Sequence, residues 1–328
     1  MSRRPGSPEA VAPARRSRAL LAEAVRALTA AGIPTARPDA EWLLADLLGV
    51  DRVTLYAGAP GVGEPDAARY AALVARRAGH EPLQRLLGWE EFRGLRLRVA
   101  PAVLIPRPET ELLVDWALAL TPPGATVADV GTGSGCIACA LAAERPDVRV
   151  IASDGSSAAL AVAAENVRAL GLEGAVTLRA GDLLEPLAGT APVDLLVSNP
   201  PYIPSDVIAS LPREVREWEP RAALDGGEDG MALSRRIVAG APAVLRAGGA
   251  LLMEIGEGQA EPLATAMAAC ESPGVQMSTT SMSFLATTSS QEVEYSCHPY
   301  LSAASFTCSG PTVPCAGPIV AYTALPMF

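Results

Sequence analysis

Val127-Ala128-Asp129-Val130-Gly131-Thr132-Gly133-Ser134-Gly135 is the stretch that decides how this chain folds. Its small and β-branched apolar residues read as a buried strand. The strand enters a glycine-rich turn, and Cys136-Ile137-Ala138-Cys139 then opens a helix. Glycine lets the backbone approach a ligand closely and adopt positive φ, and a helix start leaves N–H groups free to donate. The spacing is Gly-x-Gly-x-Gly, without the later glycine of the dinucleotide fingerprint that related α/β enzymes carry.

Downstream of Thr126, strands at 126–130, 148–153, 175–180, 193–198 and 250–255 alternate with helices at 136–145, 157–170, 231–246 and 258–270. Such alternation implies a parallel sheet covered on both faces, with any ligand at the carboxyl ends of the strands. Two acids fall at those ends. Asp154 closes the second strand, 23 residues after Gly131, where a carboxylate accepts hydrogen bonds from ribose hydroxyls. Gly181-Asp182-Leu183 follows the third strand and puts a second carboxylate at the same edge, suited to the exocyclic amine of adenine. Alone, either Asp is an ordinary cap or turn residue. Together with the glycine loop at successive strand ends, they read as a nucleoside site.

The fourth strand runs into Asn199-Pro200-Pro201-Tyr202. Asn-Pro alone is a common turn, but the whole tetrapeptide after a glycine loop is far more specific. Its chemistry suits an sp² nitrogen, whose delocalised lone pair makes it a poor nucleophile. The Asn199 side-chain oxygen and a proline carbonyl can each accept one hydrogen, which builds electron density on that nitrogen and aims it at a methyl sulfonium. Proline has no N–H to compete, and its fixed φ holds the carbonyl. Tyr202 offers a flat face to a planar amide or base. A sulfonium is already activated, so the chemistry needs no strong general base.

Upstream, residues 15–80 read as helical. Leu20, Leu21, Ala24, Val25 and Leu28 recur at helical spacing, Pro38 opens a second helix and Pro65 a third, through Ala78. Phe92, Leu95, Leu97 and Val99 alternate about Gly94 as a β-hairpin, and the stiff Pro106–Pro108 segment leads into a helix ending near Leu120. The domain reading is a helical domain over 1–85, a hairpin and linker helix over 86–120, a sheet domain over 121–271, and an atypical tail over 272–328.

Composition sets the remaining bounds. Of 328 residues, 49% are apolar and 19% charged, which marks a globular chain. Arginine supplies every fixed positive charge. Residues 1–246 carry 26 positive and 30 negative charges, while the rest adds only six glutamates. The body is therefore close to balanced and lacks the basic stripe of a nucleic-acid binder. No apolar run is long enough to span a bilayer and no signal-peptide core follows the N-terminal arginines, so the reading is a cytoplasmic monomer without a membrane partner. The six cysteines suggest no disulfide framework, and Cys136-x-x-Cys139 reads as small residues packing a helix on a sheet. His80 and His298 are the only histidines, and no metal site is read.

These residues resemble the HemK/PrmC family, the release factor glutamine methyltransferases. The resemblance spans roughly 15–270 and rests on Glu81-Pro82-Leu83-Gln84, Gly88, Glu91-Phe92, Leu104 to Glu111, Gly131 to Gly135 and Asn199 to Tyr202. Glu219-Pro220, Ala223-Leu224, Gly226-Gly227, Asp229-Gly230 and Glu254-Ile255-Gly256 extend it. It implies a class I, Rossmann-like α/β methyltransferase with a small N-terminal helical domain that docks the substrate, and a seven-stranded sheet. The cofactor implied is S-adenosyl-L-methionine, held by Gly131, Thr132, Gly133, Ser134, Gly135, Asp154, Asp182, Leu183 and Asn199. Leu183 stands where some relatives have an aromatic. Asn199, Pro200, Pro201 and Tyr202 match the glutamine-binding segment, with Asn199, Pro200 and Tyr202 as catalytic residues. The reaction implied is N5-methylation of the glutamine in the Gly-Gly-Gln motif of class I peptide chain release factors. The alternative is an amino-methyltransferase acting on adenine N6 or guanine N2, whose target nitrogen is chemically similar. The balanced N-terminal charge and the Ile105–Glu111 run favour the protein substrate, and a nucleic-acid substrate is disfavoured. The family's closing Gly turn and strand pair have no counterpart after Cys270. The Ser/Thr/Cys-rich tail is therefore expected to be disordered, and the last antiparallel hairpin missing.

Overall fold

The computed structural model describes residues 15–57, 60–269 and 319–323. Apart from 319–323, the C-terminal tail read from the sequence lies outside the described residues. The chain forms two compact units. One comprises Met1–Pro106 and Val207–Leu224, the other Arg107–Asp206 and Asp225–Phe328.

The first unit is built from α1 (Ser17–Ala30), α2 (Ala36–Leu48), α3 (Arg52–Ala57), α4 (Glu64–Ala78) and α5 (Leu83–Leu87). Short strands β1 (Arg15–Arg16) and β2 (Gly61–Val62) pair antiparallel, as do β3 (Trp89–Phe92) and β4 (Leu95–Arg98). Leu20, Leu28, Leu43, Leu44, Leu55, Tyr70 and Val74 share its core. The second helix begins at Ala36, two residues before Pro38, because a proline in the first turn removes an N–H that has no helical partner there. Gly49 ends it in the left-handed region, at φ 64°. At the heart of the unit the buried Arg77 guanidinium donates to Asp39 (2.6 Å) and Glu214 (2.8 Å). Arg85 donates to the Trp218 carbonyl (2.7 Å), and the Ile105 N–H donates to Glu219 (3.2 Å). These bonds place 207–224 in this unit. The N-terminal stretch of this unit runs to Pro106.

The second unit holds β5 (Thr126–Val130), β6 (Arg149–Asp154), β7 (Val176–Ala180), β8 (Val193–Ser198), β9 (Leu245–Ile255) and β10 (Ile319–Thr323). They form one parallel sheet in the order β10-β9-β8-β5-β6-β7. The order reverses at β5, so the glycine loop leaves the sheet at the topological switch point, where open α/β sheets bind ligands. Helices α6 (Pro108–Leu120) and α7 (Cys136–Glu144) pack together, and α8 (Ser157–Ala169) packs on β6 and β7. Alternate residues Ala128, Val130, Leu196, Leu251, Met253 and Ile255 face Ile237, Val238, Ala241 and Leu263 of helices Ala232–Val244 and Ala260–Ala269. The period of two therefore turns Asp129 and Glu254 to the opposite face, the side of α6 and α7.

Among the described residues the sheet holds six strands of the seven that the resemblance implies, and β9 pairs on its outer side with parallel β10. Ile319–Thr323, inside the expected tail, thereby pair along β9. Strand β9 also starts at Leu245 instead of 250, because its pairing with β8 shifts register between Val193 and Leu195 and takes up the Gly248-Gly249 bulge.

Leu196 is fully buried between the two helices and β5. Leu196→Ala should lower stability by about 2–5 kcal/mol, seen as a lower urea midpoint with an unchanged slope; an unchanged midpoint would mean that this face is not the core.

Candidate active site

Register builds the site. Val130 pairs with Ser153 on one side and Ser198 on the other, Asp154 pairs with Ala180, and Ser198 pairs with Met253. The residues that follow are therefore neighbours along one edge: Gly181, Asp154, Gly131, Asn199 and Glu254. The buried Ser198 hydroxyl donates to the Val130 carbonyl (2.7 Å), which ties the last residue of β8 to the last residue before the glycine loop.

In that loop Gly131, Gly133 and Gly135 all have positive φ, at 76°, 56° and 80°. A Cβ on Gly131 or Gly133 would meet nothing within 4 Å, whereas one on Gly135 would sit 3.3 Å from the Ala163 Cβ of α8. The first two positions thus face open space, and the third packs helix on helix. Asp154 organises the loop. Its Oδ2 accepts the Gly133 N–H (2.9 Å) and its Oδ1 the Ser156 N–H (2.8 Å). Each carboxylate oxygen retains acceptor capacity for a further donor. Thr132 and Ser134 are buried. The Thr132 hydroxyl donates to Asp129 Oδ2 (2.6 Å), and the Ser134 carbonyl accepts from Asn166 (2.8 Å). Asp182 stands apart from this cluster. Its carboxylate pairs with Arg236, and both side chains are about half exposed, at 54% and 53%. Leu183 holds φ 48°, an uncommon value for a non-glycine residue, and packs against the core facing Ile237.

The tetrapeptide is clamped through its backbone. Gln259 donates to the Tyr202 carbonyl (2.8 Å), and the Ile203 carbonyl accepts the Gly226 N–H (2.8 Å). A Cβ on Gly226 would lie 2.7 Å from the Pro201 carbonyl, so only glycine fits beneath it. Side chains bind it too. Asn199 Nδ2 donates to Thr110 Oγ1 (3.1 Å), Thr110 donates to Glu254 Oε2 (2.9 Å), and the Tyr202 hydroxyl donates to Glu254 Oε1 (3.3 Å). Glu254 is 1% exposed. Burial pushes its carboxyl up to about 7 against the pull of the Thr110, Tyr202 and Asn199 bonds, with the nearby charge of Glu109 adding to the rise.

Sequence reading missed three participants. Thr110 and Glu254 entered it only as part of a resemblance, and Asp129 only as a strand residue. Asp129 is wholly buried, and burial pushes its carboxyl up to about 7 despite bonds from Thr132 and the Ala138 backbone, with Asp154's charge adding to the rise. An acid at an inward position of an apolar strand was the available signal for both carboxylates.

Family comparisons agree with this layout. Residues 19–88 match the PrmC N-terminal domain, and 108–209 match the methyltransferase small domain. The release factor glutamine methyltransferase of Geobacter sulfurreducens is 50% identical over 70% of this chain and 80% of its own. That of Cereibacter sphaeroides is 49% identical over 74% and 87%, and that of Moorella thermoacetica 48% over 74% and 87%. The chain belongs to the release factor glutamine methyltransferase family. It is accordingly a methyltransferase, with the Rossmann-like sheet and helical N-terminal domain of that family.

The raised Asp129 carboxyl has a consequence for folding. Between pH 4 and pH 7 the folded chain keeps a proton that the unfolded chain has lost, so the residue costs increasing stability as pH rises across that window. Asp129→Asn removes the titration and should gain stability over the parent from pH 5 to pH 8 in parallel urea titrations. A constant offset at all pH values would show that Asp129 ionises normally.

Proposed function

We propose that the chain transfers the methyl group of S-adenosyl-L-methionine to N5 of the glutamine in the Gly-Gly-Gln motif of class I peptide chain release factors. The observation that carries this reading is the tetrapeptide Asn199–Tyr202 held beside the glycine loop, in a chain whose relatives are named release factor glutamine methyltransferases.

The residues suit the cofactor. Gly131 and Gly133 leave open space where side chains would otherwise stand, and Asp154 holds the loop while retaining acceptor sites for ribose hydroxyls. In this reading the backbone from Gly131 through Thr132, Gly133 and Ser134 to Gly135 forms the cradle. Asp182 and Leu183 border the adenine, and Asn199 closes the methyl end. Asp182 exchanges its solvent-exposed arginine partner for the adenine amine, a change of small cost because exposed ion pairs are weak. When bound, S-adenosyl-L-methionine supplies an electrophilic methyl group on a sulfonium.

The chain's own task is to make an amide nitrogen nucleophilic. Asn199 Oδ1 and the Pro200 carbonyl accept the two hydrogens of the glutamine amide and hold its plane. Tyr202 stacks on that plane, its hydroxyl anchored on Glu254. The fixed φ of Pro200 and Pro201, the close approach of Gly226 beneath the Pro201 carbonyl and the Gln259 bond to the Tyr202 carbonyl keep these acceptors from relaxing. The helical N-terminal unit docks the release factor, and the protein works as a monomer in the cytoplasm. Among the described residues no helix is long and apolar enough to cross a membrane.

Incubation with labelled S-adenosyl-L-methionine and a purified release factor tests this reading. Label should enter the wild-type factor and not its Gln-substituted control; label on RNA or DNA instead would favour the nucleic-acid reading. Asn199→Ala should lower methyl transfer by roughly 100-fold while cofactor affinity by calorimetry changes little, and undiminished turnover would sink the mechanism. Asp154→Ala should weaken cofactor binding by about 10- to 100-fold, through both the ribose contact and the freed Gly133 N–H.

A further inference from the structure

We infer that Glu254 is a positioning residue: through the Thr110 hydroxyl its carboxylate holds the Asn199 amide with the N–H₂ turned inward and the oxygen turned toward the substrate nitrogen. The inference rests on the methyl-transfer reading for what Asn199 meets, but the lock itself is a property of the free chain.

An amide is nearly symmetric in shape, so its hydrogen-bond partners decide which end is oxygen. Asn199 needs its oxygen outward, because an N–H₂ there would face the N–H₂ of the substrate, donor against donor. Its inward hydrogen-bond partner is Thr110 Oγ1 at 3.1 Å, with the Glu254 carboxylate, which only accepts when ionised, just behind; a hydroxyl can either donate or accept along that line. Glu254 removes the choice. An ionised carboxylate only accepts, so the single Thr110 proton is committed to Glu254 Oε2 at 2.9 Å, and the Thr110 oxygen can only accept from Asn199. Tyr202 donates to the other carboxylate oxygen, at 3.3 Å. All the donors point to one buried charge, and the amide follows.

Protonation of Glu254 would undo the lock. A carboxylic acid can donate to Thr110, Thr110 then donates its own proton to Asn199, and that reversed chain of donors favours the flipped, unproductive amide with its oxygen inward. Among the described residues the groups facing this carboxylate are Thr110 and Glu109 from α6 and Asn199 and Tyr202 from the segment after β8, with Arg107 acting on Tyr202. Burial and the Glu109 charge hold the carboxyl up to about 7, so the lock would be complete in mild alkali and half lost near neutrality. That burial is costly for folding and has no packing advantage, which is the pattern of a group kept for its function.

The experiment uses the full chain in two arms. In the kinetic arm, kcat for release factor methylation should fall about tenfold from pH 8 to pH 6 with KM nearly constant. Glu254→Gln should be about tenfold slower at pH 8 and lose that acid limb, because a carboxamide does not titrate. Thr110→Ser should keep the wild-type profile and Thr110→Val should not, with thermal melts confirming that each variant folds. A parent profile flat over this range, or Glu254→Gln as fast as the parent at pH 8, would overturn the inference. The second arm needs no substrate. The Glu254 carboxyl carbon, and the Asn199 side-chain N–H₂ resonance identified by its loss in Asn199→Ala, should titrate together near pH 7 by NMR. A Glu254 carbon that titrates below pH 5, or an Asn199 resonance indifferent to it, would overturn the lock. Failure of all methyl transfer with co-titration intact would instead count against the proposed reaction alone.

Discussion

The parallel register of β6, β5, β8 and β9 is the constraint on which everything else depends. Because Ser153, Val130, Ser198 and Met253 lie abreast, the residues that follow them share one level of the sheet. Asp154, Gly131, Asn199 and Glu254 become neighbours without being close in sequence. Side chains alternate with a period of two, so a slip of one residue in any strand would carry its polar group to the opposite face. Strong burial of the alternate set, from Ala128 to Ile255, makes such a slip costly. Core packing thus secures the site geometry.

On that frame the molecule carries two carboxylates that solubility in the core would exclude. Asp129 and Glu254 both occupy inward positions of apolar strands, and both are pushed up to about 7 by burial. Neither has an arginine partner among its closest bonds. Each instead collects hydroxyl donors: Thr132 for Asp129, Thr110 and Tyr202 for Glu254. Hydroxyl donors hold a carboxylate without neutralising it, so in the ionised form the charge can orient what touches it. The first carboxylate shapes the base of the glycine loop and the second the base of the tetrapeptide. The helical unit uses charge in the opposite way: Arg77, buried at its centre, is neutralised by Asp39 and Glu214, a pairing that fixes which segment packs there.

Much of this was legible in the chain. Strong periodicity marked β5 through β8 and the helices α7 and α8 almost residue by residue, since buried parallel strands are continuous apolar runs and glycine turns punctuate them. The hairpin about Gly94 and the helix from Pro108 were equally plain. The start of β9 was not, because Arg246 and the Gly248-Gly249 bulge interrupt its apolar pattern. Nor was the membership of 207–224 in the first unit, since the ties of Arg77, Arg85 and Ile105 to that segment span more than a hundred residues of sequence.

The loop Val127–Gly135, with Asp154 and Asn199–Tyr202, was enough by itself to mark the strand-to-turn junctions that the structure brings to one edge of the sheet. Local pattern carries such information because turns, caps and strand ends are set by neighbouring residues. Tertiary structure alone decided that the Thr132 side chain serves Asp129, that Asp182 pairs with Arg236, and that Glu254 reaches Asn199 through Thr110. Those contacts depend on strand register and on which helix covers which face. No short stretch of sequence encodes either, because both are settled by burial of the whole sheet.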